Sequence, residues 1–293
     1  RSNIEFLISQ GVHGIVPTGS TGESATLSFE EHEKAIEIAI DAANGRVPIL
    51  AGTGSNNTAE AATLTKAAKD AGADGVLVIS PYYNKPNRSG LVKHYTKLAD
   101  IGCPVVVYNV PGRTGQNLEP DLIIELAKHP NIVGVKEASG NISQISRIIE
   151  GTRDEDFTVT SGDDNITLPI LALGGAGVIS VAANVEPARM VQLYEAYRAG
   201  DHAKALSLHY ELSPLFRSMF IDTNPIPVKK AVELRGMAAG PVRLPLDDLD
   251  AKKTEQLAAV LAAYAPSPSK QPSKSKKSTI SAKATRGRTG AKR

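Results

Sequence analysis

Seven short runs of apolar, mostly β-branched residues recur along the chain, each closed by Gly, Pro, Ser, Asn or Tyr. They occupy 14–19, 48–53, 75–80, 104–109, 132–138, 157–162 and 177–181. The runs are continuous rather than alternating, the pattern of strands covered on both faces, as parallel strands with crossover helices are. Between them, 29–43, 58–71, 120–127 and 187–199 place apolar residues at helical spacing. The repeated unit is strand, then helix.

Such repetition yields either an open doubly wound sheet or a closed eight-stranded barrel. Polar residues end many different strands, which favours the α/β class with a (β/α)8 TIM barrel, whose active site gathers at the C-terminal ends of the strands. Only seven strands are visible. The chain opens on Ile4-Glu5-Phe6-Leu7-Ile8, which has the pattern of a helix end, so the first strand is expected upstream and missing from this chain. Three more helical segments follow the last strand, at 202–220, 225–235 and 246–264, with Asn224-Pro225-Ile226-Pro227 between the first two. The predicted organisation is a shortened barrel over 1–200, a C-terminal helical extension over 201–265 and a disordered basic tail over 266–293.

Composition narrows the class further. The chain has 293 residues, 41% of them hydrophobic, enough for one large core. No apolar run is long enough to span a membrane and Arg1-Ser2-Asn3 opens no signal-peptide core, so a soluble, cytoplasmic protein is expected. Cys103 is alone, which excludes an internal disulfide framework, and the six histidines show no metal-ligand spacing, so neither metal nor cofactor is expected. The net charge of +2 hides an asymmetry: nine of the 33 basic residues lie in 266–293, which has no acid, leaving the body with more acidic than basic residues. That tail has too little apolar surface to offset its ordering entropy. It could meet nucleic acid, an anionic surface or the acidic body, or be a solvated appendage.

The candidate chemistry sits at strand ends. Lys136 lies within Ile132-Val133-Gly134-Val135-Lys136-Glu137-Ala138, an apolar run. Desolvation lowers an amine's pKa, and a neutral amine attacks carbonyl carbon, so Lys136 is a candidate Schiff-base former; the alternatives are a snorkelling lysine or one paired with Glu137. The loop Gly19-Ser20-Thr21-Gly22-Glu23-Ser24 offers backbone N–H groups and hydroxyls to a small carboxylate, with simple turn structure as the alternative. Pro81-Tyr82-Tyr83 closes one strand, and Tyr108-Asn109-Val110-Pro111-Gly112-Arg113-Thr114-Gly115 ends the next. A phenol beside Lys136 suits proton transfer to an imine, and Arg113 brings a fork for a second carboxylate.

Taken with Ser161-Gly162-Asp163-Asp164 and Gly177-Val178-Ile179-Ser180, these motifs resemble the pyruvate-dependent class I aldolase superfamily, and within it the dihydrodipicolinate synthase family, over 1–264. The resemblance implies a lyase that condenses pyruvate with L-aspartate 4-semialdehyde in the lysine and diaminopimelate route, without a cofactor. It implies Lys136 as the imine former, Tyr108 as proton shuttle, and Ser20 with Tyr83 from a neighbouring subunit as the proton relay; Ser20 stands where the family has threonine. Thr21 would bind the pyruvate carboxylate, Gly162 and Ile179 would line the pocket, and Arg113 would hold the aldehyde substrate's carboxylate. A lysine effector site is implied at Ser24, Ala25, His32, Asn56, Glu60 and Tyr82, although Phe29 replaces a histidine common in inhibited members. A homotetramer, as a dimer of dimers, is implied as well. The remaining alternatives are a 2-keto-3-deoxy acid aldolase or sialic acid lyase-like enzyme, and a non-catalytic barrel recruited through its tail.

Overall fold

A computed structural model describes residues 1–264; the predicted disordered tail lies outside the described residues. Six parallel strands form one sheet in sequence order: β1 (Leu50–Gly52), β2 (Gly75–Ile79), β3 (Val105–Asn109), β4 (Ile132–Glu137), β5 (Thr158–Ser161) and β6 (Gly177–Val178). The run predicted at 14–19 is shorter than expected. It lies parallel to β1 through an Ile15–Ile49 bridge, with Leu50 N donating to Ile15 O and Gly52 N to Pro17 O, both at 3.0 Å. Pairing stops there because Thr18 turns to φ +54°, a left-handed conformation that leaves the strand path. Among the described residues, no further strand pairs with this segment or with β6.

Helices alternate with these strands as the pattern predicted. They are α1 (Ser2–Ser9), α2 (Phe29–Ala43), α3 (Thr58–Ala71), α4 (Arg88–Ala99), the single turn α5 (Pro111–Thr114), α6 (Pro120–Leu126), α7 (Ile142–Gly151), α8 (Thr167–Ala172) and α9 (Pro187–Arg198). Their starts are fixed locally. Ser28 and Glu31 close a reciprocal capping box on α2, and Asn57, Asn87 and Asn141 cap α3, α4 and α7 with side-chain oxygens.

The continuous apolar runs are explained by burial on two faces. Val76, Val78, Val105, Val107 and Val135 point outward into a core shared with Ile36, Tyr95, Leu98, Ile123, Ile145 and Ile148 of the helices. On the inner face Leu77, Tyr108 and Val110 form a second cluster, against which Val16 and Ile179, from the first and last strand segments, both pack. The sheet therefore curls around that cluster. Alternation along β3 and β4 puts Tyr108 and Lys136 on the inner face and their neighbours Asn109 and Glu137 on the outer one.

The last three helices, α10 (His202–Ser218), α11 (Ile226–Leu234) and α12 (Ala251–Ala262), share a core with α8 and α9 through Leu171, Leu193, Leu212, Phe216, Val228 and Leu257. Each such side chain contributes about 1.5–3 kcal/mol on burial, so this face is firmly joined to the sheet's later helices. Glu186, buried at the start of α9, pairs with both Arg189 and Arg235, tying α9 to the end of α11.

Candidate functional site

The inner face of β3 and β4 brings two predicted residues together. Tyr108 and Lys136 are register partners, and Lys136 Nζ lies 4.3 Å from the centre of the Tyr108 ring. Gly162, just past β5, is what lets the lysine stem lie there. A Cβ on Gly162 would stand 3.0 Å from Lys136 Cε and 2.8 Å from Ala138 Cβ, so a larger residue would displace the lysine. Ile179 completes this wall: its N–H donates to Ser161 O at 2.9 Å and its side chain packs against the cluster that holds Tyr108.

Desolvation pulls the Lys136 amine down to about 8, and the positive Arg113 acts in the same direction. Asp164 opposes both. This carboxyl group is buried, accepts hydrogen bonds from Val181 N and Ala182 N at 3.1 and 2.9 Å, and is itself pushed upward by burial. The Tyr108 phenol is raised by burial, against the lowering influence of Arg113 and of the Ser20 hydroxyl. A hydroxyl, a phenol and an amine of reduced basicity thus stand in sequence.

The Gly-Ser-Thr-Gly-Glu loop is folded tightly. Three of the N–H groups expected to face an anion close the turn instead: Gly22 N and Ser24 N donate to Gly19 O, and Glu23 N donates to Ser20 O. Those of Ser20 and Thr21 stay outside these turns. The loop presses onto β1, where Thr18 Oγ1 and His32 Nε2 both bond Gly52 O, at 2.9 and 2.6 Å. Only glycine fits at 52, because a Cβ would stand 2.2 Å from Thr18 O. Glu23, left-handed at φ +54°, is held by an ion pair with Lys229 of α11 and by Arg243 N, in the connection before α12, at 3.0 Å.

A cavity of about 450 Å³ opens beside this loop. Ser20, Tyr108 and Arg113 line it, as do Ser24, Ala25, His32, Glu60 and Tyr82, five of the six positions expected of an effector site. Asn56, the sixth, is not on its wall; its carbonyl accepts from Asn84 Nδ2 at 2.8 Å. Phe29 lines the cavity instead of a histidine. Thr21, Lys136, Gly162 and Ile179 are also off the wall, as is Tyr83, which is 88% exposed. Among the described residues, no group of three or more His, Cys, Asp or Glu side chains gathers as a metal ligand set.

Two residues here take parts that no sequence motif assigns to them. Asn224 reaches the site from the connection before α11: its Nδ2 donates to Thr21 Oγ1 at 3.0 Å and its backbone oxygen accepts from Arg113 Nη2 at 2.8 Å. One residue thereby fixes both groups expected to hold carboxylates. It sits in Asn224-Pro225-Ile226-Pro227, whose prolines signalled a connection but no chemistry. Asp164 belongs to a quoted motif, yet nothing in its spacing announced that it would face Lys136.

A curled parallel α/β sheet with a desolvated lysine beside a buried tyrosine is the arrangement of an imine-forming lyase. The profile of the Dihydrodipicolinate synthetase family matches residues 1–264, and the chain belongs to that family. It is 76% identical over 261 residues to the 4-hydroxy-tetrahydrodipicolinate synthase of Methanoculleus marisnigri, a match covering 89% of this chain and 90% of the relative. A crystal structure of a dihydrodipicolinate synthase superposes with a TM-score of 0.86 at 52% identity, covering 89% of this chain and 90% of the other. A monomeric dihydrodipicolinate synthase variant gives 0.87 at 40% identity, with 89% of each chain covered.

Proposed function

We propose that this chain condenses pyruvate with L-aspartate 4-semialdehyde to 4-hydroxy-tetrahydrodipicolinate, a lyase reaction run through an imine on Lys136. The observation that carries the reading is the amine lowered to about 8 with a phenol ring 4.3 Å away. In its neutral form Nζ adds to the ketone carbon of pyruvate, and loss of water leaves an iminium. A proton leaves the methyl carbon, with Tyr108 and Ser20 as its carriers, and the resulting enamine attacks the aldehyde carbon. The substrate's own amine then displaces Lys136 as the ring closes, and the net by-product is water.

Thr21 takes the pyruvate carboxylate, Gly162 and Ile179 shape the wall beside the imine, and Arg113 offers its fork to the aldehyde substrate's carboxylate. The alternative of a 2-keto-3-deoxy acid aldolase is less favoured, since the relatives bear the synthase name. The reading extends to a (β/α)8 barrel, N-terminally shortened, over 1–200 with a helical extension over 201–265, supported by the strand order and the shared inner cluster. A dimer or tetramer is supported by the exposure of Tyr83, and lysine as effector by the five positions on the cavity wall. A cytoplasmic location belongs to the same reading; no described helix is long and apolar enough to cross a membrane.

The deciding experiment is borohydride reduction in the presence of pyruvate, followed by peptide mapping. The expected result is a pyruvyl adduct on Lys136. An unmodified Lys136 in folded protein overturns the proposal.

A further inference from the structure

Glu137 is fully buried, yet among the described residues no cation pairs with it. A buried carboxylate in that position is costly unless hydrogen bonds satisfy it. It follows Lys136 directly but faces the opposite side of β4, so it is not the lysine's partner. Its oxygens accept instead from Asn109 Nδ2 at 3.0 and 3.3 Å, from Ser139 N at 2.7 Å and from Gln144 Nε2 at 3.3 Å.

Asn109 and Ser139 belong to the strand ends that carry the site, and Gln144 to the helix that follows β4. Asn109 follows Tyr108 and is Glu137's register partner on β3. The Asn109 Oδ1 atom accepts from Leu118 N at 3.0 Å, and its Nδ2 donates to Asn117 Oδ1 at 3.0 Å, which pins the return of the loop that bears Arg113. Gln144 and Asn117 exchange two further bonds, at 2.8 and 3.2 Å. Every amide here has its donor and acceptor ends used consistently.

We infer that Glu137 is a positioning residue: its carboxylate clamps the tips of β3 and β4 and the Arg113 loop together from behind, holding Tyr108 against Lys136 in front. The inference rests on the imine reading above and is a claim about geometry, not about contact with substrate. A shift of one strand tip by about 1 Å costs on the order of 100-fold in rate.

The test compares three folded proteins by turnover, KM and the rate of pyruvate trapping by borohydride: the parent, Glu137→Gln, and Glu137→Gln combined with Asn109→Asp. The single change puts a donor among donors. The double change returns one carboxylate to the cluster from the other strand, with Asn117 and Gln144 free to turn their amides. The expected result is a fall in kcat of about 100-fold for the single variant, with KM for pyruvate within about threefold, and recovery by at least about tenfold in the double variant. Turnover of folded Glu137→Gln within about twofold of the parent overturns the inference, as does failure of the double variant to recover activity. Should Glu137→Gln not fold, Gln144→Met removes one donor with similar volume. A fall of about threefold or more then supports the inference, and unchanged turnover overturns it. Absence of trapping in the parent defeats the imine reading itself, which keeps the two failures apart.

Discussion

Two polar clusters lie back to back on β3 and β4, and they differ in how completely their hydrogen bonds are met. On the outer face, Glu137, Asn109, Asn117 and Gln144 satisfy one another and the neighbouring backbone. On the inner face, Lys136 and Tyr108 meet through a ring contact, and the amine has lost part of its basicity to desolvation. A buried network with every member satisfied is rigid; a group held short of its best solvation is reactive. The strand's twofold alternation places one kind behind the other, so the rigid cluster backs the reactive one.

The largest expected effect breaks that pairing of roles. Lys136→Ala should lower turnover by at least about 10⁴-fold, in the range seen when a covalent nucleophile is removed. Its melting temperature at neutral pH should hold or rise, since a desolvated amine goes with it. Glu137→Ala, by contrast, should cost about 1–3 kcal/mol of stability for each buried N–H donor it leaves without an acceptor. Thermal melts and steady-state rates on both variants check the contrast. A Lys136→Ala protein that loses as much stability as Glu137→Ala would show that the inner cluster is structural too.

A second, smaller effect sharpens the division within the inner cluster. Arg113 donates to Asn224 O at 2.8 Å and lines the cavity beside Tyr108. A charge-assisted bond to a substrate carboxylate contributes about 1.5–3 kcal/mol. Arg113→Ala should therefore reduce kcat/KM for the aldehyde by about 10- to 100-fold, with pyruvate trapping on Lys136 preserved. Equal loss of both steps would remove Arg113 from its assigned place.

Much of this was legible in the sequence. The unbroken apolar runs already implied strands covered on both faces, and six of the seven appear as strands in order, the first run making only a single bridge, with helices α2 and α3 at the expected bounds. The first run is cut short at Thr18, because a left-handed residue there is invisible to hydrophobic pattern. Lys136 and Tyr108 could be paired from their places at successive strand ends. The alternative that pairs Glu137 with the lysine fails, because alternation along the strand sends Glu137 to the far side. Asn224 could not be found this way: it meets Thr21 across 203 positions and Arg113 across 111, and no local pattern encodes such a contact.

The last effect is a gradual one with pH, and it tests the inner cluster alone. Lys136 titrates near 8 in the folded protein against an ordinary 10.5. Between those values the unfolded chain holds a proton that the folded site has released, so this group's contribution to stability rises with pH across the window from about 8 to 10.5. Below 8 both states are protonated and the desolvation cost is fully present; above 10.5 it is gone. Any stability advantage of Lys136→Ala over the parent should therefore narrow as pH rises from 7 to 10.5, while the parent's rate of imine formation climbs through about 8 as neutral amine accumulates. Asp164 works against the lowering and Arg113 with it, so Asp164→Asn should move the kinetic midpoint to lower pH. Melts and trapping rates over one pH series measure both, and a stability gap that stays constant with pH would mean that the amine is as well solvated in the fold as in the unfolded chain.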